Sequence, residues 1–235
     1  LAEAAPDPRS SGAERMAAPA SPAPGPAVLP GEDMRVLLVD HQDSFVHTLA
    51  GYFREQGADV LTLRAPLPRT ALDDYAPDLV VLSPGPGRPA DFACGDLLAL
   101  LDARGLPAFG VCLGLQAMVE HAGGELALLS EPVHGKPGRV LREGEDGLLA
   151  GLPDEFVAAR YHSLYAVPGQ VKGGFEVTAM TPDGVVMAIE DPAAGRWGVQ
   201  FHPESILTAA GRTGHQIVGN VLRLCRTWAG QQLVR

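Results

Sequence analysis

From Met34 onward, short runs of apolar and β-branched residues alternate with longer segments in which apolar positions recur every three to four residues. The short runs suit strands buried on both faces and the longer segments suit amphipathic helices, so the alternation predicts parallel strands joined by helical crossovers. "RVLLVD" (35–40), "DVLTLR" (59–64), "DLVVLS" (78–83) and "LPAFGV" (106–111) read as strands. "SFVHTLAGYFREQ" reads as a helix with Asp43 as N-cap and Gly57 as its stop, placing Phe45, Val46, Leu49, Tyr52 and Phe53 on one face. "DLLALLDAR" reads as another. Beyond Gly124 the strands are expected to shorten and pair as hairpins, notably "VVMAIED" and "RWGVQF" through "PAAG", before a C-terminal helix at about 213–228. The pattern predicts an α/β fold, an open and mostly parallel sheet flanked by helices with an antiparallel extension.

Residues 1–33 break this rhythm. They are rich in Ala, Pro and Ser and hold no aromatic residue, so they cannot offset their ordering entropy and read as a disordered linker ahead of one domain at 34–235. A first residue that is Leu rather than Met fits processing, trimming or a piece of a longer polypeptide, and the Pro/Ala-rich linker favours the last, with a folded unit on each side of it. The charge balance, 18 basic against 28 acidic residues, offers no phosphate-binding face, which argues against nucleic acid. Apolar runs of strand length argue against a membrane span, and the three scattered cysteines, Cys94, Cys112 and Cys225, fit neither a disulfide framework nor a zinc site. A cytoplasmic location is expected.

The stretch "GVCLG" (110–114) lies where a strand ends and a helix begins. It has the spacing of a nucleophile elbow with Cys112 at its centre: the flanking glycines permit the tight reversal, and the helix N-terminus favours a thiolate while Leu113 N–H faces an oxyanion. Taken alone, Cys112 fits a small buried hydrophobe equally well. A thiol nucleophile needs a base, and His202 in "VQFHPES" ends an apolar strand with Glu204 two residues on. Pro203 favours an extended His202, which would put both side chains on one side and let Glu204 hold the imidazole. A strand-ending turn is the bland alternative. The loop "SPGPG" (83–87) would emerge on the same sheet edge, where a backbone N–H could complete the oxyanion hole; an ordinary tight turn or a weak phosphate cradle fits the same residues.

"LSPGPG", "GVCLGLQ", "YHSL" and "VQFHPES", in this order and spacing, closely resemble the class I (triad) glutamine amidotransferases, from about Arg35 to the last helix. The details "VDHQDSFVHTLAGYF", "LSPGPGRPADF" and "VHGKPGRV" resemble the glutaminases of anthranilate synthases, particularly the fused type. Leu115 departs from the His found at that place in many free-standing relatives.

The resemblance implies a flavodoxin-like amidotransferase fold and hydrolysis of L-glutamine. Cys112 would attack the carboxamide, His202 would protonate the departing ammonia, and Glu204 would orient His202. Gly85 and Leu113 would supply the oxyanion hole, and Gly85, Gly87, Gln116, Ser163 and Leu164 would hold glutamine. It implies no metal or cofactor in this domain, magnesium belonging to a chorismate-binding synthase partner that makes anthranilate for tryptophan by a lyase reaction. His134, Gly135 and Lys136 would face that synthase, a solvated hairpin turn being the plain alternative. Cys94, Cys225, Trp197 and Trp228 read as structural, with Cys94 lacking a base, and His41, His47 and His121 lack motif partners. A glutaminase serving aminodeoxychorismate formation and a free-standing γ-glutamyl cysteine hydrolase are the rival readings.

Overall fold

The computed structural model describes residues 28–68 and 70–233. The linker reading of residues 1–27 lies outside them. A nine-stranded sheet runs in the order β2-β1-β3-β4-β9-β8-β7-β5-β6. Strands β1 (Arg35–Asp40), β2 (Asp59–Arg64), β3 (Leu79–Leu82), β4 (Ala108–Val111) and β9 (Arg196–Val199) pair in parallel. Strands β5 (Leu126–Arg142), β6 (Glu155–Ala166), β7 (Glu176–Met180) and β8 (Val186–Asp191) extend the sheet antiparallel from β9. The mostly parallel sheet with an antiparallel extension is as the apolar pattern predicts.

Both faces are covered because successive strand residues point to opposite sides. Val36 and Leu38 pack with α1 (Val46–Glu55) and α5 (Thr213–Gln232), through residues such as Phe53, Ile217 and Val221. Leu37 and Val39 face the other way, toward α3 (Cys94–Arg104) and α4 (Leu113–His121), with Leu98, Leu101 and Met118. A short α2 (Ala71–Tyr75) precedes β3. Leu115 is fully buried in this second core, and its Cβ lies where a side chain at Gly198 would need room. A leucine there fills space between α4 and β9.

Several boundaries differ from expectation. Asp43 is not the N-cap of α1: its Oδ1 accepts a hydrogen bond from Phe45 N–H at 2.8 Å, an Asx turn that delays the helix to Val46. Gly57 does stop it, with φ +93°. Beyond Gly124 the first strands lengthen instead of shortening, β5 to 17 residues and β6 to 12. Register shifts between Leu128 and Val133 and between His134 and Lys136 let β5 absorb residues that break the alternation. The stretch 134–136 therefore lies within a bulged strand rather than at a hairpin turn. Residues 30–33 turn against the domain, with Gly31 N–H donating to Gln56 O at 2.8 Å.

Candidate active site

The carboxyl ends of β1, β3, β4 and β9 share one sheet edge, and the chain segments leaving them build the site. At the end of β4, Cys112 adopts φ 52° and ψ −98°, a conformation that a non-glycine residue holds only under constraint. The constraint is visible in its neighbours. Cys112 N–H donates to Val199 O at 2.8 Å, and α4 starts at the next residue. A Cβ on Gly110 would sit 2.4 Å from Gly114 C, and one on Gly114 would sit 2.5 Å from Leu82 O. The two glycines thus permit β4, α4 and β3 to touch backbone to backbone, leaving the thiol at the turn.

His202 arrives from β9. Its N–H donates to Ala159 O at 3.0 Å, joining it to β6, and its O accepts from Thr208 Oγ1 at 2.6 Å. His202 Nδ1 lies 2.7 Å from Glu204 Oε1, both side chains being almost wholly buried. His202 itself is bridged to β6 like a strand residue, as expected ahead of Pro203, but the chain turns directly after it, Ser205 N–H donating to His202 O at 3.3 Å, so Glu204 reaches the ring across a turn. Burial disfavours the imidazolium, but the nearby Cys112 sulfur and the Glu204 carboxylate outweigh it and raise the His202 pKa well above the usual value.

A cavity of about 730 Å³ opens in front of Cys112. Gly85, Gly87, Gln116, Ser163 and Leu164 line it with the thiol, as does His134. Leu113 is buried at the N-terminus of α4, while His202 and Glu204 lie behind the cavity wall. Phe45 and Tyr161 form that wall, their ring centroids 5.5 and 4.9 Å from the His202 ring, and they exclude water from it. Gly85 leaves no room for a side chain, since a Cβ would lie 2.7 Å from His41 Cβ. Gly87 has φ +73° and makes room for Asp91. The β5 bulge skips Ser163 in the ladder, so its backbone is available to the cavity.

Sequence reading missed a polar layer behind the nucleophile. Gln200, fully buried, donates from Nε2 to Cys112 Sγ at 3.5 Å, and its Oε1 accepts from Gln116 Nε2 at 3.2 Å. Gln116 Nε2 also donates to Leu164 O at 3.1 Å, and His162 Nδ1 lies 2.8 Å from the same carbonyl. Arg160 Nε–H donates to His162 Nε2 at 3.1 Å, so Nδ1 carries the proton of the neutral ring. The signal was present in "VQF", since the pairing of Val111 with Val199 carries residues 112 and 200 off the sheet side by side.

His41 also has partners that no motif indicated. Its Nδ1 lies 3.1 Å from Ser83 O and its Nε2 3.6 Å from Cys94 Sγ, which corrects the reading of Cys94 as a cysteine without a base. That base is silent: burial, against smaller raising effects of Ser83 and Asp40, lowers His41 to about 4. Burial, aided by Glu120, pushes the Cys94 thiol up to about 12, and burial beside Asp78 does the same for Cys225. The trio braces the loop that carries Gly85. His121 pairs with Asp102 at 2.7 Å, and Trp228 Nε1 donates to Ala193 O at 3.2 Å. Asp43, His202 and Glu204 are the one group of ligand-bearing atoms within 4.8 Å of one another among the described residues. Its histidine and glutamate are already bonded to each other.

The buried histidines make acid stability testable. His162 is lowered to about 4 by burial, with Leu164 O opposing and Arg160 and His202 assisting. The unfolded chain protonates both His41 and His162 near 6.5 and the folded chain near 4, so stability falls as pH drops through that window. His202 works in the opposite direction, its contribution being lost as pH rises through its raised folded pKa. Urea unfolding at pH 7 and pH 5 is expected to show a lower midpoint at pH 5, with a smaller drop in His41→Gln. An unchanged drop in that variant would mean that His41 does not contribute to the acid destabilisation.

The fold and the elbow with its His–Glu pair define a class of enzymes, and comparison identifies it. Residues 37–218 match the family model described as glutamine amidotransferase class-I, and the chain belongs to that family. Among its relatives is the anthranilate synthase of Azospirillum brasilense, 54% identical over 88% of this chain but only 28% of that protein, so the chain spans little more than a quarter of it. The anthranilate synthase component 2 of Mycobacterium tuberculosis is 40% identical over 86% of this chain and 87% of its own. The aminodeoxychorismate synthase component 2 of Escherichia coli is 39% identical over 80% and 98%. The crystal structure of a glutamine amidotransferase from Thermotoga maritima shares the fold, with a TM-score of 0.63 at 16% identity over 82% of this chain and 96% of that one.

Proposed function

We propose that this domain hydrolyses L-glutamine and delivers the ammonia to a chorismate-binding synthase that makes anthranilate. The observation that carries the chemistry is the juxtaposition of Cys112, on its strained elbow, with a buried His202 held by Glu204 at 2.7 Å. His202 takes the thiol proton, and the sulfur attacks the side-chain carboxamide. The resulting oxyanion is met by the backbone N–H groups of Gly85 and Leu113, the latter reinforced by the α4 dipole. Collapse expels ammonia, protonated by His202, and leaves a γ-glutamyl thioester. Water activated by the same imidazole then releases glutamate. Gly85, Gly87, Gln116, Ser163 and Leu164 hold the substrate, Ser163 and Leu164 through their backbone. None of these steps calls on a metal or cofactor.

The partner assignment rests on relatives. Names of anthranilate synthases attach to the 54% and 40% identical proteins, and the greater length of the Azospirillum protein is consistent with a fusion; the Ala/Pro-rich segment is our reason for placing the synthase part ahead of this domain. The cytoplasm is the compartment we assign; among the described residues no helix is long and apolar enough to cross a membrane. A second reading, supply of ammonia for aminodeoxychorismate, is favoured by the 39% match along nearly the whole E. coli component. Glutamate release measured alone and with each chorismate-binding component separates the two. Stimulation by the anthranilate component supports the first, stimulation confined to the other supports the second, and full turnover indifferent to both supports a free-standing hydrolase.

A further inference from the structure

The peptide that carries the Gly85 N–H is oriented from behind the cavity. Ser83 is fully buried just beyond β3, and its hydroxyl donates to Pro84 O at 2.7 Å. That hydroxyl has one proton, and its other partners are donors: His41 N–H reaches Oγ at 2.9 Å, and His41 Nδ1 lies 3.2 Å from it. Nδ1 carries the ring proton, because it also lies 3.1 Å from Ser83 O, which can only accept. Oγ thus receives from His41 and gives to Pro84 O. The Pro84–Gly85 peptide is planar and trans, so its C=O and N–H point opposite ways. Holding Pro84 O on Ser83 therefore turns the Gly85 N–H away from Ser83. Gly85 lines the cavity in front of Cys112, whereas Ser83 and His41 do not. The loop has no slack toward β1 either, since a Cβ on Gly85 would sit 2.8 Å from His41 O.

We propose that Ser83 is a positioning residue whose hydroxyl aims the Gly85 N–H at the oxyanion, with His41 orienting that hydroxyl. The inference rests on the glutaminase reading, in which the oxygen of the attacked carboxamide becomes negative beside Cys112. Neither Ser83 nor His41 touches the substrate, and burial keeps His41 neutral, so the effect is one of direction and not of charge. An N–H stabilises the developing oxyanion fully only when it is already aimed at the place where the charge appears. A peptide plane left to rotate would carry its N–H off that line. The contribution of Ser83 therefore falls on the transition state and leaves the binding of intact glutamine nearly unchanged.

The test compares glutamate release by the unmodified chain, Ser83→Ala and Ser83→Thr, each with the chorismate-binding anthranilate component present, beside iodoacetamide alkylation of Cys112 read by peptide mapping. Iodoacetamide reacts by displacement at carbon, forms no oxyanion and reports the thiol alone. Ser83→Ala is expected to lower kcat about tenfold, a part of the roughly hundredfold or greater loss of a whole oxyanion donor, with KM and the alkylation rate each within about twofold. Ser83→Thr keeps the hydroxyl and should keep kcat within about threefold. Should Ser83→Ala not fold, Ser83→Cys, which fills the same place with a much weaker donor, is measured with the same expectation. An unchanged kcat, a loss carried by KM, an alkylation rate that falls in step with kcat, or Ser83→Thr as slow as Ser83→Ala would overturn the proposal. Absence of glutamate release from the unmodified chain overturns the glutaminase reading and this inference with it, whereas release that Ser83→Ala matches overturns the inference alone.

Discussion

Cys112→Ser is expected to lower glutamine hydrolysis by about a thousandfold or more while leaving the urea unfolding midpoint unchanged. The substitution changes one atom in a site whose backbone is held from outside, by Val199 O and by the contacts of Gly110 and Gly114. Serine can occupy the same strained turn. What it cannot do is give up its proton to His202 as a thiol does, because an alkoxide lies far above a thiolate in energy at neutral pH. Its N–H to Val199 survives, and so does the cavity, so glutamine binding should persist. Calorimetric titration of the variant with L-glutamine, beside a glutamate-release assay, checks both halves. Turnover near that of the unmodified chain would remove Cys112 from the mechanism.

The second large effect falls on stability. Gly110→Ala introduces a Cβ 2.4 Å from Gly114 C and 2.7 Å from Leu115 N, and these are backbone atoms at the start of a buried helix that cannot move aside singly. A loss of about 3 kcal/mol is expected, at the upper end for overpacking, because the strand, the elbow and α4 must shift together. Urea unfolding provides the measurement, and accumulation of the variant in insoluble form counts in the same direction. Gly95 lies in α3 with nothing within 4 Å of the place its Cβ would take, so Gly95→Ala is the matched control and should be neutral or stabilising. Equal midpoints for the two variants would mean that the elbow is not held by contact between backbones.

How much was legible from the chain follows from how local each signal is. The parallel half of the sheet was, because residues 36–39, 79–82 and 108–111 are continuous apolar runs buried on both faces. The elbow was legible from five residues. The long β5 was not: Pro132, Gly135, Pro137 and Gly138 interrupt its alternation, and only pairing with β6, through bulges, makes it one strand. The His202–Glu204 contact was anticipated with half of its geometry, a strand-like His202, while the turn at 203–204 that brings Glu204 round was not. Gln200 and His162 escaped notice because their partners are 88 residues away in one case and a carbonyl and an arginine on the same strand in the other. Asp43 looked like a cap because an Asx turn and an N-cap use the same side-chain chemistry. Local pattern reaches the elements, whereas a buried polar layer depends on register between strands far apart in sequence.

The proposed chemistry requires that the sulfur of Cys112 be the atom that meets glutamine. It is tested most directly with a glutamine analogue bearing a chloromethyl ketone in place of the carboxamide, followed by peptide mapping of the adduct. A single label on Cys112 is expected, slowed by added L-glutamine, with Cys94 and Cys225 unmodified. Labelling of Cys112 that glutamine does not slow, or a label on another residue that accompanies loss of activity, would contradict it.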